Sequence, residues 1–179
     1  MSKPPSGLFK GTKGEVAFNG DAESVIAART IGFDLREHPA KQKQLGAKQR
    51  KAINNKIEKR TATRDEWKRR EWDRRIRERR KKGIDEFWSK EAIRLSRGQK
   101  GTRNWSAEQA SRILSGKKPH FRGKPMQSHH TYSVLKYPHL ANRGEIIYPA
   151  TYTEHRKGWH GGNTRNSLPG RRIRPISEF

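Results

Sequence analysis

From Thr63 to Leu95 the chain admits little but helix. Thr63-Arg-Asp-Glu66 forms a capping box, in which a Thr hydroxyl and a Glu carboxylate satisfy opposite orphan backbone donors. The apolar positions that follow are Trp67, Trp72 and Ile76. Trp72 and Ile76 share a face, whereas Trp67 lies about 140° round from Trp72, so this first stripe is imperfect. Gly83 is read as interrupting the run. Ile84, Phe87, Trp88, Ala92 and Leu95 then recur three or four apart, as one buried face of a helix requires. The other faces carry Arg69, Arg70, Arg74, Arg75, Arg77, Arg79, Arg80, Lys81 and Lys82. Glu66, Glu71 and Glu78 can lace part of that surface at helical spacing, but they are outnumbered. The excess points to a face that meets phosphates.

The charge bias extends to the whole chain. Its 179 residues hold 42 Lys and Arg against 18 Asp and Glu, a net charge of +24. Such a surface repels itself unless something anionic shares it; nucleic acid is the first expectation, then an acidic protein, then an anionic membrane. No apolar run approaches the roughly 18 residues of a membrane span. The opening MSKPPSGLFKGTKG lacks the apolar stretch of a signal peptide and reads as a linker, so the chain is expected to be a domain of a larger secreted protein. The absence of cysteine excludes disulfides, thiolate zinc sites and cysteine nucleophiles, and leaves metal chemistry to 7 His.

Composition divides the chain in three. Residues 1–44 form a Gly/Pro-rich arm with one helical segment, Asp21–Arg29, expected to dock through Val25 and Ile26. Residues 45–100 form a basic helical region; within it Ala47–Lys59 carries Ile53 and Ile57 four apart. Residues 101–179 contain all four Tyr and six of the His. There Ser106-Ala-Glu-Gln109 is a second capping box, before a short helix with Ala110, Ile113 and Leu114 and a fitting C′ residue in Gly116. The fold class is α+β, with a mostly helical basic part followed by a small strand-containing unit.

The tail carries the chemistry. His129 and His130 are adjacent, so on a strand they point to opposite faces; one can hold a metal while the other faces substrate. A second strand is expected around Glu145–Tyr148. Thr151-Tyr-Thr-Glu154, a third capping box, would start a helix just before His155. Phosphodiester hydrolysis needs a Lewis acid, a base for water and cations for the developing charge. An imidazole-held divalent ion, a held His and nearby Arg and Lys meet those needs.

Ser128-His129-His130, Lys136–Glu145, Tyr148–Thr151, Glu154-His155 and Trp159–Gly162 resemble the HNH/endonuclease VII superfamily. More narrowly, they resemble the nuclease toxin domains of bacterial polymorphic toxin systems whose signature is a small residue followed by two His. Gly101–Trp105 and Asp21–Arg29 are similar to the same toxin C-termini. The resemblance implies a ββα-metal finger over residues 101–179 and a metal-dependent endonuclease with DNA as the favoured substrate. By resemblance His129 and His155 are metal ligands, His160 is the candidate third, His130 is the general base and Asn142 orients it, with Glu145 and Asn163 as alternatives for that role. His160 departs from the simplest pattern, in which the last two His are four apart; here they are five apart, about 140° round an ideal helix, and Gly161-Gly162 would have to let His160 swing back. The cofactor is one divalent ion, Mg²⁺, Zn²⁺, Ni²⁺ or Mn²⁺. Phosphate contacts are assigned to Arg69, Arg70, Arg74, Arg75, Arg79, Arg80, Lys81, Lys82 and Lys124. A monomer, a cognate acidic immunity protein and delivery by a secretion system into the cytoplasm of a target bacterium complete the expectation. The competing readings are a non-catalytic, ribosome- or nucleoid-associated nucleic-acid binder, and a structural zinc module.

Overall fold

The capping box at Thr63 forms as expected: Thr63 Oγ1 accepts from the Glu66 amide at 3.2 Å and Glu66 Oε2 from the Thr63 amide at 3.0 Å. In the computed structural model, which describes residues 21–179, the helix that starts there runs unbroken from Arg64 to Ser96 (α3). Gly83 therefore does not interrupt it. Its function is steric: a Cβ at this position would collide with the Ala141 carbonyl oxygen, so glycine lets the 141–143 backbone cross the helix in contact with it. Gly144 makes the converse approach, its Cβ position lying 2.8 Å from the Phe87 amide nitrogen.

Three other helices surround α3: α1 (Ala22–Arg29), α2 (Ala47–Glu58) and α4 (Ala107–Leu114). Asp21 caps α1, and Ser106 with Gln109 forms the capping box of α4. The chain then makes two small antiparallel sheets. The first pairs β1 (His120–Phe121) with β2 (Lys124–Pro125); the second pairs β3 (Gln127–His130) with β4 (Ile147–Ala150), with His129 opposite Tyr148 and His130 opposite Ile147. Two 3₁₀ turns, Pro138–Leu140 and Gly144–Ile146, lie on the connection between β3 and β4. A π-helix, Glu154–Trp159, follows β4. The architecture is α+β. Pro4, Pro5 and the remainder of the first 20 residues lie outside the described residues.

One core joins these parts. Ala22 and Ile26 of α1, Phe87 of α3, Tyr148 and Ala150 of β4 and Trp159 of the π-helix are buried together with Ile146 and Ile147. β4 is buried along its whole length, so it reads as a continuous apolar run instead of an alternating one. By contrast α2 has no buried residue, and Trp67 near the start of α3 is 54% exposed. The segment that enters α2 is held to α3 by buried Asp73, which accepts from the Leu45 amide at 2.7 Å and from Arg77 Nε at 2.8 Å. No helix among the described residues is long and apolar enough to cross a membrane.

Candidate metal centre and catalytic histidine

Strand alternation separates His129 from His130, as their adjacency predicts. His129 turns towards the π-helix. There it meets His155 and His160, and one nitrogen from each of the three rings lies within 4.8 Å of the others. The ring centroids form a near-equilateral triangle, with separations of 4.9, 4.9 and 4.8 Å. The Trp159 ring, itself buried, packs 4.7 Å from that of His129 and 5.5 Å from that of Tyr148.

The five-residue spacing of His155 and His160 is resolved by the helix type. The Thr151 capping box starts the turn, with the Glu154 amide donating to Thr151 Oγ1 at 3.1 Å and the Thr151 amide to Glu154 Oε2 at 2.8 Å. The His160 amide then donates to the His155 carbonyl at 3.1 Å, a bond between residues five apart. A π-turn brings such residues closer to one face where an α-helix would put them far round the axis. Gly161 and Gly162 (φ +59° and +93°) end the turn after His160 has been placed; they do not themselves swing it back. A neighbouring segment secures the odd winding, because the Gly158 carbonyl accepts from the Arg174 amide at 2.9 Å.

The three rings suit a metal ion. His155 Nε2 and His160 Nε2 are 3.2 Å apart, near the ~3.3 Å separation of two nitrogens each about 2.0–2.1 Å from one tetrahedral ion. His160 Nδ1 donates to the Asn166 carbonyl at 2.6 Å, which fixes its tautomer and leaves Nε2 with a free lone pair. Burial, with the neighbouring imidazoles next, holds His129 well below its ordinary pKa. Burial and His160 lower His155 to about 4. Neutral imidazoles are the form that ligates.

His130 faces the other way. Its Nε2 lies 3.0 Å from the Ala141 carbonyl; a carbonyl can only accept, so Nε2 carries the proton and Nδ1 the lone pair. Burial lowers His130 to about 4, the Ala141 bond opposes this and the Arg80 charge adds to it. The ring is thus neutral at neutral pH, with its single proton on Nε2.

The side chains considered as its orienter are occupied elsewhere. Asn142 Oδ1 accepts from Arg79 Nη2 at 2.7 Å, Glu145 pairs with Lys90 at 3.1 Å, and Asn163 Oδ1 accepts from the Arg165 amide at 3.0 Å. The backbone carbonyl beside Asn142 takes the place in contact with His130. Arg79, which also donates to the Pro138 and His139 carbonyls at 3.3 and 2.9 Å, staples this loop to α3.

The expected phosphate contacts separate into groups. Arg69 is held by the Lys43 carbonyl over the Trp72 ring, Arg70 by Asn54 at 2.6 Å, and Lys81 by Asp85 at 2.5 Å. Arg74 bridges Glu71 and Glu78, and Arg75 reaches Glu71 at 3.3 Å. Arg80 donates to Gln44 at 2.8 Å, but its buried Nε has no partner among the described residues. Lys82 is exposed, and the Lys124 ammonium lies 5.5 Å from the centre of the Tyr152 ring.

Sequence reasoning missed the support behind the site. Glu154 was legible as a cap, yet its carboxylate also takes a bidentate bond from Arg103 at 2.5 and 2.8 Å and the Glu178 amide at 2.7 Å. Burial raises the Glu154 carboxyl, but Arg103 and the two amides outweigh it and hold it below its usual value. The tautomer-fixing carbonyls of Ala141 and Asn166 leave no trace in side-chain identity.

Three convergent imidazoles, with a fourth held apart from them, define a histidine-type candidate metal centre. Residues 70–151 match the Tox-GHH family model, the GHH signature containing HNH/Endo VII superfamily nuclease toxin. The signature's first position is Ser128 here, and the match ends at Thr151, before His155 and His160. Comparison with curated proteins and with solved structures gave no significant match.

Proposed function

We propose that the protein is a metal-dependent endonuclease, a toxin domain that hydrolyses phosphodiester bonds, with DNA favoured, inside a target bacterial cell. The observation that carries this reading is the π-turn convergence of His155 and His160 on His129, back to back with His130. A divalent ion bound by those three side chains supplies a Lewis acid to the scissile phosphate. An all-nitrogen donor set suits Zn²⁺ or Ni²⁺ better than Mg²⁺ or Mn²⁺, which prefer oxygen.

His130 is the general base. With Nε2–H on the Ala141 carbonyl, Nδ1 takes the proton of the attacking water. A substrate phosphate beside it raises its pKa towards the working range, since a nearby anion favours the imidazolium. Arg80 faces the same region and offsets phosphate charge. A surface of this charge also predicts an acidic immunity protein and acts from a monomer. The ββα-metal finger comprises β3, β4 and the π-helix.

Plasmid nicking with added Zn²⁺, Ni²⁺, Mn²⁺ or Mg²⁺, and with EDTA, tests the reading. Cutting is expected with metal and not with EDTA. His130→Ala should remove it while sparing metal and DNA binding. A wild type that cuts neither DNA nor RNA with any of these ions sinks the enzyme reading; an active His130→Ala sinks the base assignment.

A further inference from the structure

A groove of about 750 Å³ lies between α3 and α4, and the nuclease reading does not use it. Its apolar lining is Ile84, Trp88, Ala92, Ile113 and Leu114; its cations are Arg77, Arg80, Lys81, Lys117 and Lys118. One acid, Asp85, also lines it and is already paired with Lys81. Trp88 is a fixed platform there. Its Nε1–H donates to Ser128 Oγ at 2.9 Å, and the Phe87 ring packs edge-on against it at 4.9 Å. Ser128 is the first residue of the Ser-His-His signature and shares a face of β3 with His130, two positions on. Arg80, whose charge bears on His130, lines the same groove. The groove therefore continues from the proposed base side of the site.

We propose that this groove is a base-binding subsite, which takes unpaired bases of a single-stranded segment of the nucleic-acid substrate against Trp88. An aromatic platform among cations is what an unstacked base and its flanking phosphates require. A paired base offers no free face, and an acidic peptide would use the cations but leave the tryptophan platform and apolar wall unmatched. The proposal rests on the nuclease reading for what is cut, but its test does not depend on cutting.

The test measures binding of the full chain in EDTA, by fluorescence anisotropy, to three labelled oligomers of equal length: a single-stranded DNA, its abasic analogue and a blunt duplex. A polyglutamate peptide serves as competitor. The wild type should bind the base-bearing strand about tenfold more tightly than the abasic one, as one good stacking contact implies. Trp88→Ala should abolish that ratio and leave duplex binding within about twofold. Trp88→Phe, which keeps a ring, should retain most of it. Leu114→Ser, at a position already 51% exposed and so harmless to folding, should reduce it about threefold. Equal wild-type binding of base-bearing and abasic strands overturns the proposal, as does polyglutamate displacing the strand at equal charge concentration. A ratio unchanged in both Trp88→Ala and Leu114→Ser does the same. A protein that discriminates the strands but cuts nothing retains the groove and loses the nuclease; one that cuts without discriminating loses the groove alone.

Discussion

The two halves of α3 use the same residue types for opposite purposes. In the first half the guanidinium groups lie on the surface: Arg74 and Arg75 are 46% and 71% exposed and share Glu71 at helical spacing. Exposed pairs of this kind are screened by solvent and contribute little to stability. From Arg79, next to the helix midpoint, onwards the charged groups build the site: Arg79 fastens the loop that carries the His130 acceptor. Glu91, fully buried, gathers the Thr102 amide and hydroxyl, Trp105 Nε1 and Arg94. Beyond α3, the Arg103–Glu154 pair is 3% exposed on both sides and anchors the π-turn. Charge density alone does not separate a cation that meets a phosphate from one that builds the site. Burial and the number of backbone partners do.

Glu154→Gln should have the largest effect. It leaves Arg103 buried beside a neutral amide, and breaking such a pair costs about 3–5 kcal/mol. Thermal unfolding should register that cost, and isothermal titration with Zn²⁺ should weaken, because the turn that aligns His155 with His160 starts at this residue. Unchanged metal affinity in a folded Glu154→Gln would detach the ion pair from the site. Acid sharpens the same contrast. Glu154, Glu91 and Asp73 all titrate below their ordinary values in the folded chain: burial raises each, and Arg103, Arg94 and Arg77 with their accompanying hydrogen bonds overcome it. A lowered folded pKa means the unfolded chain binds more protons, so their stabilisation is complete above the unfolded values, about 4.5 for Glu and 3.8 for Asp, and is lost as pH falls through the lower folded ones. Urea midpoints should therefore fall steeply below about pH 4.5. The Glu154→Gln midpoint should fall less steeply, having no carboxylate to titrate there.

Gly83→Ala comes next. Its methyl meets the Ala141 carbonyl, and overpacking of this kind costs about 1–3 kcal/mol. The displaced oxygen is the one that holds His130, so nicking should fall further than stability alone explains, with Zn²⁺ affinity preserved. Retained wild-type cutting would show that the Ala141 bond does not matter to the base.

How much of this was legible in the sequence follows from the physics of each feature. Capping boxes need only side-chain identity at fixed spacing, so those at Thr63, Ser106 and Thr151 form where the residues place them. The opposed faces of His129 and His130 follow from strand alternation. The His155–His160 pairing was hidden because the spacing argument assumed 3.6 residues per turn, and the π-turn depends on distant partners such as the Arg174 amide at Gly158. Gly83 suggested a break because glycine weakens an isolated helix; a crossing backbone, invisible in local sequence, gives it a different purpose. The orienting carbonyls at Ala141 and Asn166 could not be read from side chains at all. An Asn next to Ala141 was the nearest the residues came.

The smallest effect expected in the protein's stability is the one that best divides the two halves of α3. Arg74→Ala with Arg75→Ala removes only exposed, solvent-screened pairs, so the thermal midpoint should barely move. If either guanidinium leaves Glu71 for a phosphate when nucleic acid binds, the slope of log K against log salt should flatten by about one for each phosphate no longer neutralised. Arg79→Ala is the counterpart: it frees the 138–142 loop, so it should lower cutting more than it flattens that slope. A double variant with an unchanged slope would return the first half of α3 to a self-neutralised solvent face. The phosphate-facing surface would then be sought around the α3–α4 groove.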